Sequence, residues 1–192
     1  MLMKKLLTIT LFLLFAVLNL SAQENKKEPA NSFKYGYGTT FLGTGDFTGN
    51  SQYIEYDRNL FSRFSIGLNG TFTKAIQSKP EGFEQHTKSY QGDANLFFNL
   101  FGNEVNRLKI GGGASYRQSE HSFTTEIIRD SADNITERVF QTNKSNNWGW
   151  SGVLEYEVFI AKHIILGSRL MFQQYENGDR KYYWGLNAGF RF

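Results

Sequence analysis

One stretch near the C-terminus constrains this chain more than any other. Across residues 181–192 the even positions are Tyr182, Trp184, Leu186, Ala188, Phe190 and Phe192, and the odd positions are Lys181, Tyr183, Gly185, Asn187, Gly189 and Arg191. Alternate residues of a β-strand point to opposite faces, so one face here is apolar and the other small or polar. Residues 164–173, 148–160, 108–117, 90–100 and 64–73 alternate in the same way, and two weaker segments, 35–41 and 53–57, precede them. Together these segments predict eight strands.

Alternation does not say which face is inside. A soluble sandwich or lipocalin-like barrel would bury the apolar face, whereas a membrane barrel turns it to lipid. Residue size and charge separate the two. The polar face carries many Gly and Ser residues, with Glu55, Asp57, Asp93, Glu155 and Glu157 against Lys109, Arg117, Arg169, Lys181 and Arg191. The other face is almost uncharged within the strands and draws heavily on the 18 Phe and 10 Tyr of the chain. Eight strands enclose a bore only just wide enough for side chains to fill, so small and ionic residues suit the inside. Bulky aromatics suit lipid and its interfaces, and Trp148, Trp150, Trp184, Tyr182, Tyr116 and Tyr90 gather toward one end of the strands. Connections also alternate in length. Short turns are expected near 61–63, 102–106 and 161–163, and longer polar loops near 43–50, 77–86 and 123–147. The expected fold is all-β: an eight-stranded, antiparallel, up-and-down transmembrane β-barrel.

Residues 1–22 read as a cleaved signal peptide: Lys4 and Lys5, an apolar run, then Ser21-Ala22. The run is too short for a membrane helix and a polar segment follows at once. Residues 23–33 are expected to be a short periplasmic segment and 34–192 the barrel. Setting aside Lys4 and Lys5 leaves 19 basic residues against 18 acidic, from totals of 21 and 18, so no electrostatic footprint for nucleic acid remains. There is no cysteine, and hence no lipid-attachment cysteine at the junction.

These features resemble the small eight-stranded outer-membrane β-barrel family of Gram-negative bacteria, the OmpX and OmpA transmembrane-domain type. Within that resemblance, Phe190 and Phe192 at the end of the last strand are similar to the family's signal for the barrel-assembly machinery. The resemblance implies an outer-membrane location, contact with outer-membrane lipid and lipopolysaccharide, and a monomer. It departs from full-length OmpA-like proteins in having no cell-wall-binding domain after the last strand.

Two sites are expected. The first is the bore, where the ten charged residues named above form a salt-bridge network that plugs the barrel; a selectivity filter for ions or very small solutes is the alternative. A three-residue connection at 161–163 pairs Ile160 with Ile164 and sets Glu155 opposite Arg169. The second is the longest connection, which reads as two strands continued beyond the membrane around a turn at 130–134. Its apolar residues Phe123, Ile127, Ile128, Ile135, Val139 and Phe140 make it a candidate extracellular ribbon for a protein or surface ligand, through strand edges open to pairing. A lipid-A-modifying barrel enzyme is a weaker alternative. His86, His121 and His163 fall in different connections, and the adjacent His121 and Ser122 point to opposite faces of a strand. No enzyme, cofactor or metal site is expected.

Overall fold

The computed structural model describes residues 31–43, 47–61, 63–78, 83–102, 105–131, 134–160 and 163–192. The expected signal peptide lies outside the described residues. Eight strands follow one another: β1 (Asn31–Leu42), β2 (Phe47–Phe61), β3 (Phe64–Ser78), β4 (Glu84–Gly102), β5 (Asn106–Arg129), β6 (Ile135–Ile160), β7 (Ile164–Tyr175) and β8 (Arg180–Arg191). Each pairs antiparallel with the next, and β1 closes on β8, giving a barrel with no free edge along its wall.

The faces fall as the alternation predicts. Phe190 is 53% exposed, Leu166 44% and Leu154 38%, whereas Glu155 is 0% and Arg169 1%. The apolar side chains therefore surround the wall and the ionic ones occupy its axis, the arrangement that suits lipid and reverses a soluble protein. Aromatic pairs ring the end away from the short turns: Phe72 with Tyr90, Tyr116 with Trp148, Trp150 with Phe172, and Phe172 with Tyr182, at centroid distances of 5.2, 4.9, 5.2 and 5.1 Å. Phe33, Phe190 and Phe192 cluster at the opposite end.

Three expectations need correction. β1 takes in residues 31–33, assigned above to a periplasmic segment, because Ser32 and Phe33 are laddered to both β2 and β8 and Phe33 packs on Phe190. The polar stretches 47–50, 77–78 and 84–86 are strand rather than loop; Thr48 and Ile76, and then Ile76 and His86, continue the ladders. His86 and His121 consequently sit on β4 and β5, not in connections. The link from β7 to β8 is a tight turn, with Tyr175 N–H donating to the Asp179 carbonyl at 2.9 Å and Gly178 at φ +87°, a conformation that favours glycine.

Candidate functional site

Inside the wall, polar side chains reach across the bore rather than along it. Lys34 on β1 lies 2.7 Å from Glu55, 3.0 Å from Glu155, 2.9 Å from Glu157 and 3.7 Å from Asp57. Lys109 on β5 meets Asp57 and Glu157 at 2.7 Å and Glu155 at 3.2 Å. Arg169 on β7 donates to Glu55 at 2.6 Å and Glu155 at 2.9 Å, with its guanidinium stacked 4.4 Å from the Tyr53 ring. The links from Lys34 to β6, from Lys109 to β2 and from Arg169 to β2 each join strands three places apart in the closed ring, nearly opposite one another. All seven groups are buried. Three cations meet four carboxylates, and Arg107 and Arg191 line the same small cavity as Asp57 and Glu157.

Apolar groups complete the filling. Tyr53, Phe97, Val153, Met171 and Tyr183 form a buried cluster within the bore. Inward glycines make room for them: a Cβ on Gly36 would run into Tyr53, one on Gly67 or Gly111 into Phe97, and one on Gly185 into the Tyr183 hydroxyl. Small positions matched to large ones are how an eight-stranded barrel packs its interior. Toward the short turns a cavity of about 10 Å³, lined by Asp57, Lys109, Glu157 and Arg191 among others, has space for no more than about one water.

A second polar layer lies nearer the long connections. Asp93 accepts from Gln91 at 2.7 and 2.9 Å and from Gln173 at 2.8 Å. Lys181 donates to Thr73 at 2.9 Å and to Gln91 at 3.2 Å, and the Tyr175 hydroxyl donates to Gln91 at 2.8 Å. Above it, Arg117 lies over the Tyr175 ring and pairs with Asp179 of the β7–β8 turn, a latch across the mouth. Although burial alone would raise the Asp179 pKa, hydrogen bonds from Asn177 and Arg117 and the Arg117 charge hold it below the usual carboxylate range. Burial, opposed by the Asp179 carboxylate and helped by Arg117, pushes His121 below the usual histidine value.

Of the ten charged residues expected in the bore, the structure gathers Glu55, Asp57, Lys109, Glu155, Glu157 and Arg169 into one cluster. Asp93 and Lys181 belong to the upper layer, Arg117 to the latch, and Arg191 stacks 3.9 Å over Phe159 near the short turns. The register sets Glu155 opposite Arg169, following from Ile160 opposite Ile164. Lys34, which touches every carboxylate of the cluster, is absent from the expected set. Its parity with Gly36 and Gly38 was the available sign.

Above the aromatic ring, β5 and β6 run on as a ribbon paired as far as Arg129 and Ile135. β7 accompanies β6 only from Gly149, with one more bond from Glu176 N–H to the Trp148 carbonyl, so residues 135–147 of β6 present an edge with no strand beside it among the described residues. On the other side, β4 ends at Glu84, where Thr124 bridges to the Glu84 backbone in both directions at 3.1 Å. A bulge at Thr125 shifts the parity of β5. Phe140 and Ile127 therefore share one face of the ribbon, while Phe123, Ile128 and Val139 share the other, and Ile135 sits by the turn. The apolar candidates do not form one patch; what the ribbon offers is its edge.

The three histidines do not converge. His121 bonds Thr87 at 3.0 Å, His86 bonds Glu84 at 3.3 Å on the outward face, and His163 bonds the Arg191 carbonyl at 3.1 Å. Among the described residues no group of His, Asp and Glu has the geometry to hold a metal ion.

A closed ring of eight antiparallel strands, apolar outside and ionic inside, is the fold of the small transmembrane β-barrels of outer membranes. Solved structures with this fold include Ail, the attachment invasion locus protein of Yersinia pestis (15% identity, TM-score 0.58, covering 86% of this chain and 99% of that one). Neisserial surface protein A matches at 9% identity and TM-score 0.63, over 84% and 97% of the two chains. OprG of Pseudomonas aeruginosa matches at 10% identity and TM-score 0.57, over 86% and 97%. No protein-family model and no curated protein sequence matches the chain.

Proposed function

We propose that this chain is a resident of the outer membrane whose barrel is a plugged anchor and whose ribbon binds a partner at the cell surface, by accepting a strand of that partner along the β6 edge. The observation that carries this reading is the edge at residues 135–147, unpaired beyond the membrane and held up by a wall that is paired throughout. At about 3.3 Å per residue the edge is roughly 40 Å long, ample for a partner strand, and main-chain hydrogen bonds along an exposed edge are the usual source of affinity in strand addition. Ail, solved in complex with the heparin analogue sucrose octasulfate, is an instance of this fold with a molecule bound.

The bore supports the anchor half of the proposal. A cross-section filled by Lys34, Arg169, Glu155, Phe97 and Tyr53 leaves the ionic cluster as filling rather than filter. In planar bilayers the refolded chain should give no steady current; a current that shifts when Arg169 is neutralised would favour the narrow-channel alternative.

Removing residues 125–141 tests the ribbon. The shortened chain should refold with its heat-dependent gel shift intact and lose binding to any surface partner that the full chain captures. Unchanged binding by the shortened chain would refute the role.

A further inference from the structure

Two of the outward glycines are unlike those inside. A Cβ on Gly92 would meet nothing within 4 Å, and one on Gly70 only Ile54 Cγ1 at 3.8 Å, so the packing of the fold does not require either residue to be glycine. The two lie directly opposite each other on β4 and β3. Glycine weakens a strand interior, and where no neighbour demands it the position commonly admits something else close to the backbone. With Ala94 and Ala114, which pair across β4 and β5, they floor a concavity of about 460 Å³ in the outer wall, walled by Leu68 and Trp148.

The same two strands carry a second anomaly. Reading outward from Gly70 and Gly92, the next pair on this face is Phe72 and Tyr90, part of the aromatic ring, and the next is Lys74 opposite Lys88. Like charges directly opposite on a sheet repel. Both lysines are exposed, and Lys74 has no ion pair or hydrogen bond among the described residues. The one carboxylate beside Lys88, Glu120, is already held by Lys144 at 2.6 Å. A cation pair just beyond the aromatic ring stands where lipid headgroups stand.

We propose that this face of β3–β5 holds one phosphorylated lipid, its headgroup phosphate between Lys74 and Lys88 and an acyl chain in the concavity below. The site rests on the reading that the barrel stands in a membrane with the ribbon outward. Charge argues against a second copy of the chain as occupant. A two-fold axis along the membrane normal would bring each lysine pair against its own counterpart.

Native mass spectrometry of the refolded chain, released from detergent micelles holding equal amounts of phosphatidylglycerol and phosphatidylcholine, reads the choice directly. The chain should retain one phosphatidylglycerol with a preference of about tenfold or more, since each lysine near a membrane surface favours an anionic headgroup several-fold. Lys74→Gln with Lys88→Gln should erase the preference, and Gly92→Leu should abolish retention of both lipids, while the heat-dependent gel shift reports that each variant is still a folded barrel. Retention that is the same in all three chains overturns the site. So does inorganic phosphate competing as well as phosphatidylglycerol, which would leave an ion site without a lipid, and so does a dimer that Gly92→Leu splits. A chain that does not insert into phosphatidylglycerol vesicles at all sinks the membrane reading; one that inserts and retains no lipid sinks this site alone.

Discussion

Below the aromatic ring every strand has a neighbour on each edge, and the charges inside are buried, most of them against opposite charges and Asp93 and Lys181 against amides and hydroxyls. Above it β5 and β6 continue with one edge each open to solvent, and the ion pairs are wet: Lys144 and Glu120 lie 2.6 Å apart with side chains 71% and 42% exposed. The same alternation builds both regions, so the difference is one of surroundings. Enclosure turns a set of charges into a rigid filling whose members depend on one another. Exposure leaves a strand whose unmade hydrogen bonds are available to a partner.

The contrast is sharpest where one member of the enclosed cluster is removed. Lys34→Met should have the largest effect, because four carboxylates would then share Lys109 and Arg169 alone. A loss of about 3–5 kcal/mol is expected where a buried charge is stripped of its partner, less if water enters. Urea unfolding in lipid vesicles, followed by tryptophan fluorescence, measures it. Arg169→Ala should be next, and because Glu55 would then keep only Lys34 among the cations of the cluster it should destabilise more than Glu155→Ala. The double variant should lose less than the sum of the two; strict additivity would argue against the direct Glu155–Arg169 contact.

The latch between the regions should respond more weakly and to pH. The Asp179 pKa is lowered in the folded barrel, so its contribution is present above the ordinary carboxylate pKa and is lost as pH falls through the lower, folded value. The protection of the amides of residues 175–179 against hydrogen exchange, taken relative to their intrinsic rates, should therefore fall in acid. Asp179→Asn should remove that acid response while costing at most about 1 kcal/mol, since the pair is partly exposed. At the far end of the scale, Glu120→Gln should leave the thermal midpoint unchanged, although its carboxyl pKa is lowered by the hydrogen bond and charge of Lys144. A clear destabilisation there would mean that the ribbon is not the solvated element described.

Much of the wall was legible because parity is a local property: once Leu166 and Phe190 are placed outside, Arg169 and Arg191 are inside. The pairing of Glu155 with Arg169 was legible for the same reason, through a connection of odd length. Parity says nothing about what lies across the bore. The contacts of Lys34 with β6 and of Lys109 with β2 depend on ring closure, and no sequence spacing encodes them. Lys34 was missed because β1 alternates weakly, with Thr39 on the outer face and glycines on the inner one. The lengths of β2, β3 and β4 were underestimated because Asn, Ser, Thr and Lys resemble loop composition when both faces of a strand meet water. The split of the ribbon's apolar residues between two faces followed from the bulge at Thr125, which alternation alone does not reveal.

The barrel's orientation turns on which face meets lipid, and the chain's own tryptophans report it. Trp148, Trp150 and Trp184 all lie on the outer wall, 61%, 52% and 57% exposed. In vesicles made with brominated acyl chains their fluorescence should be strongly quenched, and aqueous iodide should have little effect. Quenching by iodide with none from the brominated chains would place those rings in water and contradict the barrel's orientation.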